Sequence, residues 1–227
     1  MDVLDQAAPI EEGTPAFSAR IRTESDAAHR STEGSRFVGE LLEGKINKDG
    51  YAALSAQTYL VYEALERVGT THADNPVVAP FLSPELLRLP SLAADLEFLY
   101  GADWRDRLVA SPATARYIAR IEEAAAASPA VFVAHHYLRY MGDLSGGQII
   151  RRMLSRAYDY DVDGLRFYIF DGIAKPKVFK DEYRAKLDAA PLSADEQQAF
   201  IDEVILGYQL NSGLFSDLEA DIDRYAA

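Results

Sequence analysis

The chain has 227 residues, 48% of them hydrophobic, enough apolar material for one folded domain with a substantial core. Its net charge of −13 argues against nucleic acid or an anionic membrane surface as the main partner. Cysteine is absent, which excludes disulfides, thiolate metal sites and cysteine nucleophiles. With neither a signal-peptide pattern nor an apolar run of about 20 residues, a cytoplasmic protein without a membrane anchor is the expectation.

Residues 1–14, with Asp2, Asp5, Glu11 and Glu12, read as a flexible leader, and residues 15–227 as one helical domain. Helical spacing begins near Pro15 and puts Phe17, Ile21, Ala28 and Thr32 on one stripe. On this first helix His29 lies four residues before Glu33. A lone helical histidine is commonly a surface or satisfied core residue. One whose far ring nitrogen can donate to a carboxylate one turn on has what an axial metal ligand requires.

Phe37, Val38, Leu41 and Leu42 make a short apolar helix that Gly44 ends. Asn47 is a suitable N-cap for a long helix whose stripe includes Tyr51, Leu54, Thr58, Val61, Tyr62, Leu65 and Val68. His72 falls in turn chemistry and is expected in solvent. A short helical piece is predicted at Pro84–Arg88, an amphipathic helix at Ser91–Tyr100 with Gly101 as its stop, and another from Ser111–Pro112 to Ala127.

Ser128 and Pro129 then open a helix containing VAHHYLRYMGDLSGGQIIRRM, Val133–Met153. A glycine inside a helix costs about 1 kcal/mol relative to alanine, so Gly142, Gly146 and Gly147 together oppose folding by roughly 3 kcal/mol. They serve either the close packing of a neighbouring helix or a flat, bulky ligand against bare backbone. Gly142 and Gly146, four residues apart, open the same face. His135 and His136 point roughly 100° apart and cannot chelate one metal, so they read as packing or polar-network residues.

After a polar turn at Asp159–Gly164, Pro176 suits the first turn of a helix on which Val178, Phe179, Tyr183 and Leu187 are expected to face inward. Lys175, Lys177, Lys180, Arg184 and Lys186 form a basic cluster in an acidic chain. It is either a solvated face or a site for ligand carboxylates or an anionic protein. Ser193 and Glu196 make a capping box for the last long helix, which carries Phe200, Ile201, Val204, Tyr208, Leu214 and Phe215. No segment alternates with period two, so the fold class is all-α: one multi-helix domain.

These residues carry a resemblance. YLRYMGDLSGGQ at Tyr137–Gln148 resembles the signature of haem oxygenases. DAAHRSTEGSRF around His29 is similar to the family's proximal-ligand helix, and TYLVYEALE at Thr58–Glu66 to its second long helix. GIAKPKVFKDEYRAKL resembles the segment that meets the haem propionates, and YQLNSGLFSDL the last core helix. Soluble bacterial members are the nearest in pattern. Arg22 stands where a lysine is usual, Pro176 interrupts a segment normally without proline, and Tyr208 replaces a phenylalanine. None of these departures touches the signature.

The resemblance implies a haem oxygenase-like fold with haem sandwiched between a proximal and a distal helix. It implies oxidative cleavage of haem to biliverdin, of the α isomer, with release of carbon monoxide and ferrous iron. Oxygen and electrons from a ferredoxin or an NADPH-dependent flavoprotein reductase would be consumed. His29 would ligate iron and Glu33 would accept its other N–H. Gly142 and Gly146 would let the distal backbone lie on the porphyrin, and Asp143, with Arg139 and Tyr62, would organise distal water. Arg22, Tyr137, Lys180 and Arg184 would anchor propionates, and Phe215 would contact the haem. The electron donor would dock near the Lys175–Lys186 patch, on a monomer. Two other classes compete: a haem carrier or sensor that does not degrade its ligand, and a helical hydrolase of the related thiaminase-like superfamily. Asp143 beside intact glycines favours catalysis over carriage. The missing cysteine and the full signature weigh against the hydrolase.

Overall fold

The computed structural model describes residues 15–227, so the expected leader lies outside the described residues, as does the side chain of Glu33. Among these residues the chain forms eight α-helices, joined by loops and short 3-10 turns. They are α1 (Phe17–Glu33), α2 (Arg36–Leu42), α3 (Lys48–Thr71), α4 (Leu89–Tyr100), α5 (Pro112–Ala127), α6 (Pro129–Tyr158), α7 (Pro176–Asp188) and α8 (Ala194–Ala220). Local chemistry sets most of the boundaries. The Asn47 side chain accepts the Gly50 N–H at 3.0 Å to start α3, and Ser193 and Glu196 close the capping box that starts α8. Gly101, at φ 87°, takes the left-handed turn that stops α4.

Apolar stripes then decide the packing. The α6 helix runs against α8 and α5, α3 lies along α4 and α5, and α1 and α2 rest on α8. The core is rich in tyrosine, and a buried phenol needs a partner. Tyr51 donates to the Gly164 carbonyl at 2.5 Å, and Tyr158 to that of Ile46 at 2.6 Å. Two buried charged side chains brace the loops. Arg88 donates to the carbonyls of Leu86 at 3.0 Å and Ile169 at 2.7 Å, and its guanidinium lies 3.9 Å from the Phe170 ring centre. Asp95 accepts from the amides of Arg166 at 2.9 Å and Phe167 at 2.8 Å. Burial raises its carboxyl to about 6 despite those bonds. Asp95 thus pins the turn Arg166–Tyr168 to α4, and that turn supplies Phe167 and Tyr168 to the site.

Two expectations are corrected. Val178 is 47% exposed, because the inward stripe of α7 is Phe179, Tyr183 and Leu187 at four-residue spacing and Val178 falls one residue off it. His72 is half-buried, not solvated: it caps α3, with Nδ1 3.0 Å from the Val68 carbonyl and its ring stacked at 6.1 Å on Phe132. No helix among the described residues is long and apolar enough to cross a membrane.

Candidate functional site

A cavity of about 250 Å³ opens between α1 on one side and α6 on the other, closed behind by α2, α3, α8 and the Arg166–Tyr168 turn. His29 projects into it from the last third of α1. The Tyr208 ring from α8 meets the imidazole edge to face at 5.3 Å. Below it Thr32 ties α1 to α8, its hydroxyl 2.9 Å from that of Ser212 and 3.2 Å from the Tyr208 carbonyl. Glu33 closes the same helix one turn on, its side chain outside the described residues.

The opposite wall is the glycine stretch of α6, which stays helical throughout. A Cβ added to Gly142 would meet nothing within 4 Å, and one on Gly146 would meet only the Ile150 tip at 4.0 Å. Both glycines line the cavity. Gly147 does not: its Cβ would touch Tyr168 at 3.4 Å. The packing and ligand readings therefore both hold, for different glycines.

Asp143 lines the cavity between Gly142 and Gly146 and accepts a hydrogen bond from the Tyr62 hydroxyl. Burial lifts its carboxyl above the ordinary range, while Arg139 and Tyr62 pull it back down. Burial and the neighbouring Asp143 push the Tyr62 phenol far up, so the proton stays on tyrosine and Asp143 is the acceptor. Burial works against the charge on Arg139, yet Tyr62 and Asp143 outweigh it and keep the guanidinium charged. That group lies 5.1 Å from the Tyr62 ring centre and donates to Asn211 Oδ1 at 2.8 Å. Asn211, and Tyr117 of α5 whose phenol feels both Arg139 and Asp143, belong to this group and were not singled out in the sequence. Helical spacing holds the only signal for Asn211: it lies four residues before Phe215 on the apolar stripe of α8.

None of the four expected propionate anchors lines the cavity; Tyr137 and Lys180 stand on or against α6, away from its lining residues. Tyr137 packs between Tyr183 and Phe200, with ring centres 6.2 Å away in each case. Burial raises its phenol while Arg184 and Arg22 act to lower it, which places both cations near it. Lys180 reaches back to α6 and donates to the Ser145 hydroxyl at 3.0 Å. Arg184 pairs with Asp181 at 2.9 Å. Phe215 lines the cavity from α8. His135 and His136 stay outside it, both buried, as polar-network residues should be.

Among the described residues no group of three or more His, Asp or Glu could hold a bare metal ion. Bare backbone at Gly142 and Gly146 leaves open space on the α6 side of the cavity that His29 borders from α1. Fold and site together define an all-helical protein with a cavity between two helices, bordered by a histidine on one side and by bare helix backbone with a buried carboxylate on the other.

The model of the family described as Heme oxygenase matches residues 15–217. A heme oxygenase of Pyropia yezoensis is 39% identical over 201 residues, covering 88% of this chain and 84% of its own. Heme oxygenase 1 of Synechocystis is 34% identical over 206 residues, covering 91% and 86%. The crystal structure of the Synechocystis heme oxygenase-1 in complex with heme superposes with a TM-score of 0.88 at 33% identity, covering 92% of this chain and 95% of that one. The heme oxygenase of Leptospira interrogans gives 0.85 at 33% identity, covering 89% and 99%. The chain belongs to the haem oxygenase family.

Proposed function

We propose that this protein binds haem in the α1–α6 cavity and degrades it there to biliverdin, cleaving at the α position. When bound, haem is both the substrate and the centre that supplies the oxygen chemistry. The observation that carries the reading is the pairing of His29 with the bare Gly142–Gly146 backbone across one cavity, with a tethered carboxylate between the glycines.

Each residue then has a defined task. His29 ligates the iron through one ring nitrogen, and Glu33 takes the N–H of the other, fixing the tautomer. Gly142 and Gly146, with no side chain in the cavity, would let the ring lie against the α6 backbone. Asp143, fixed by Tyr62 and flanked by Arg139, holds a distal water and passes a proton through it. Arg22, Tyr137, Lys180 and Arg184 take the propionates and so set which edge of the ring meets the distal site. Of the remaining cations, Lys175 and Lys177 are exposed and offer an acidic ferredoxin a landing surface near that edge. Oxygen and the reduced ferredoxin complete the reaction.

Mixing the protein with hemin and a reductant in air tests this. A Soret band that gives way to a biliverdin spectrum is expected. A stable Soret band would make the protein a carrier, and no Soret band at all would remove haem from its function. His29→Ala should lower turnover by at least about 100-fold and recover part of it with added imidazole. Asp143→Asn should keep the Soret band and lose biliverdin yield by about 100-fold. Normal yield in that variant would strip Asp143 of its role.

A further inference from the structure

A second cavity, of about 220 Å³, lies between the last two turns of α3, residues 82–87 and the part of α6 that carries His136 and Tyr140. No residue lines both cavities. Leu65, Leu82, Pro84, Leu86 and Leu87 form its apolar walls, and Leu87, 45% exposed, stands at its mouth.

Two titratable side chains interrupt these walls, and the fold uses only half of each. Glu66 Oε1 accepts from the amides of Arg88 at 2.6 Å and Leu89 at 3.2 Å and from the Tyr140 hydroxyl at 3.3 Å, which ties the start of α4 to α3. Its Oε2 takes no hydrogen bond from the described residues. His136 is 4% exposed, and its Nδ1 lies 2.9 Å from the Tyr183 hydroxyl, while Nε2 has no partner among the described residues. Neither Oε2 nor Nε2 is sealed in the core, and both side chains border this cavity. The other polar side chains around it are already paired: Thr70 with the Glu66 carbonyl at 2.9 Å, Ser83 with Glu85, and Tyr140 with Glu66.

The protons can be placed. Burial pushes the His136 imidazole down to about 3, so it is neutral. Tyr183 is buried, and His136 is the one hydrogen-bond partner its hydroxyl has among the described residues. A proton on Nδ1 would leave the Tyr183 hydrogen without an acceptor in the core, so the phenol donates to Nδ1 and the imidazole proton sits on Nε2. Burial raises the Glu66 carboxyl, while the bonds to Oε1 act to keep it ionised. The cavity thus offers an acceptor and a donor, both beside Tyr140, whose ring centre is 4.4 Å from that of His136 and whose hydroxyl binds Glu66.

A dry cavity of about 150 Å³ takes a benzene ring, and drug-sized ligands need about 300 Å³ or more. At about 220 Å³ this one takes a single ring with a small substituent. A plain hydrocarbon would strand both polar atoms, and an amine or indole N–H would satisfy Glu66 alone. A hydroxyl can donate to Glu66 and accept from His136. We propose that the second cavity binds a small phenol, its ring among the leucines and its hydroxyl at the Glu66–His136 edge. This site is independent of whatever the α1–α6 cavity holds, so its test needs no haem.

Phenol is titrated into the haem-free protein and read by NMR at the His136 ring, identified by its proximity to the Tyr140 and Tyr183 rings, with centres 4.4 and 5.9 Å away. The His136 signals should shift and saturate with a Kd of about 1 mM or tighter. Toluene, of the same size without the hydroxyl, should bind at least about tenfold more weakly. Glu66→Gln keeps an acceptor for the Arg88 and Leu89 amides and turns an NH2 group toward the cavity. It should weaken phenol about tenfold and leave toluene unchanged. Phenol that does not shift the His136 signals overturns the site. Equal affinity for phenol and toluene, or wild-type phenol affinity in Glu66→Gln, overturns the recognition of the hydroxyl. Should Glu66→Gln not fold, the phenol–toluene comparison in the unaltered protein decides alone.

Discussion

On the cavity side of α6, a side chain at Gly142 would meet nothing within 4 Å, and one at Gly146 only the end of Ile150. On its core side, Gly147 already touches Tyr168 through its would-be Cβ, and Gly207 of α8 would drive a Cβ into Leu138. The same residue type thus serves two purposes a few ångströms apart. Where glycine faces the cavity, the missing methyl makes room for something outside the chain. Where it faces the core, it makes room for the chain itself. The polar groups divide likewise: Asp143 borders this cavity, while His136 is buried away from it with Nδ1 2.9 Å from the Tyr183 hydroxyl.

The core side should respond most strongly, and through pH. Burial pushes the His136 imidazole down to about 3. The unfolded chain takes up its proton near the ordinary value of about 6.5, so the stability from this residue is complete above that pH and drains as the pH falls toward 3. Asp95, raised to about 6, acts the other way over part of that range, so comparison with a variant is needed. Urea unfolding of the haem-free protein at pH 7 and pH 5 should show a loss about 2 kcal/mol smaller in His136→Gln than in the wild type. Equal losses would mean that His136 is charged in the fold, and the contrast between the faces would fail there.

Next in size is Gly207→Ala, which should overpack the α6–α8 contact and cost about 1–3 kcal/mol, read as a lower Tm without haem. Gly142→Ala should do the reverse. It adds a good helix former where there is free space, so the haem-free protein should gain about 1 kcal/mol. The same methyl should weaken haem binding in a hemin titration. A Gly142→Ala protein that is both more stable and equally tight for haem would show that this face was never shaped for a ligand.

Much of this architecture could be read in advance, and the reasons are local. Asn47, Gly101 and the Ser193–Glu196 pair act on neighbours within a few residues, so their effects are visible in a short window. Gly142, Asp143 and Gly146 lie within five residues of one another, which is why that stretch of α6 stood out, with packing and ligand contact both open. Asn211 and Tyr117 did not, because they reach Arg139 across the packing of α5, α6 and α8 and nothing near them in the chain marks the meeting. Val178 was misplaced because a stripe on a short helix is narrow, and a residue next to an inward one points about 100° away. His72 was misplaced because a turn histidine can fold back onto the helix it ends.

The unbroken course of α6 has a consequence for how the cavity meets its ligand. Its 30 residues pass the glycine stretch without losing the helix, so the space at Gly142 comes from absent side chains and not from melted backbone. The wall is therefore standing before anything arrives, and binding need not be taxed by the entropy of building it. A group seated there would meet finished helix on that side, with His29 of α1 bordering the same cavity.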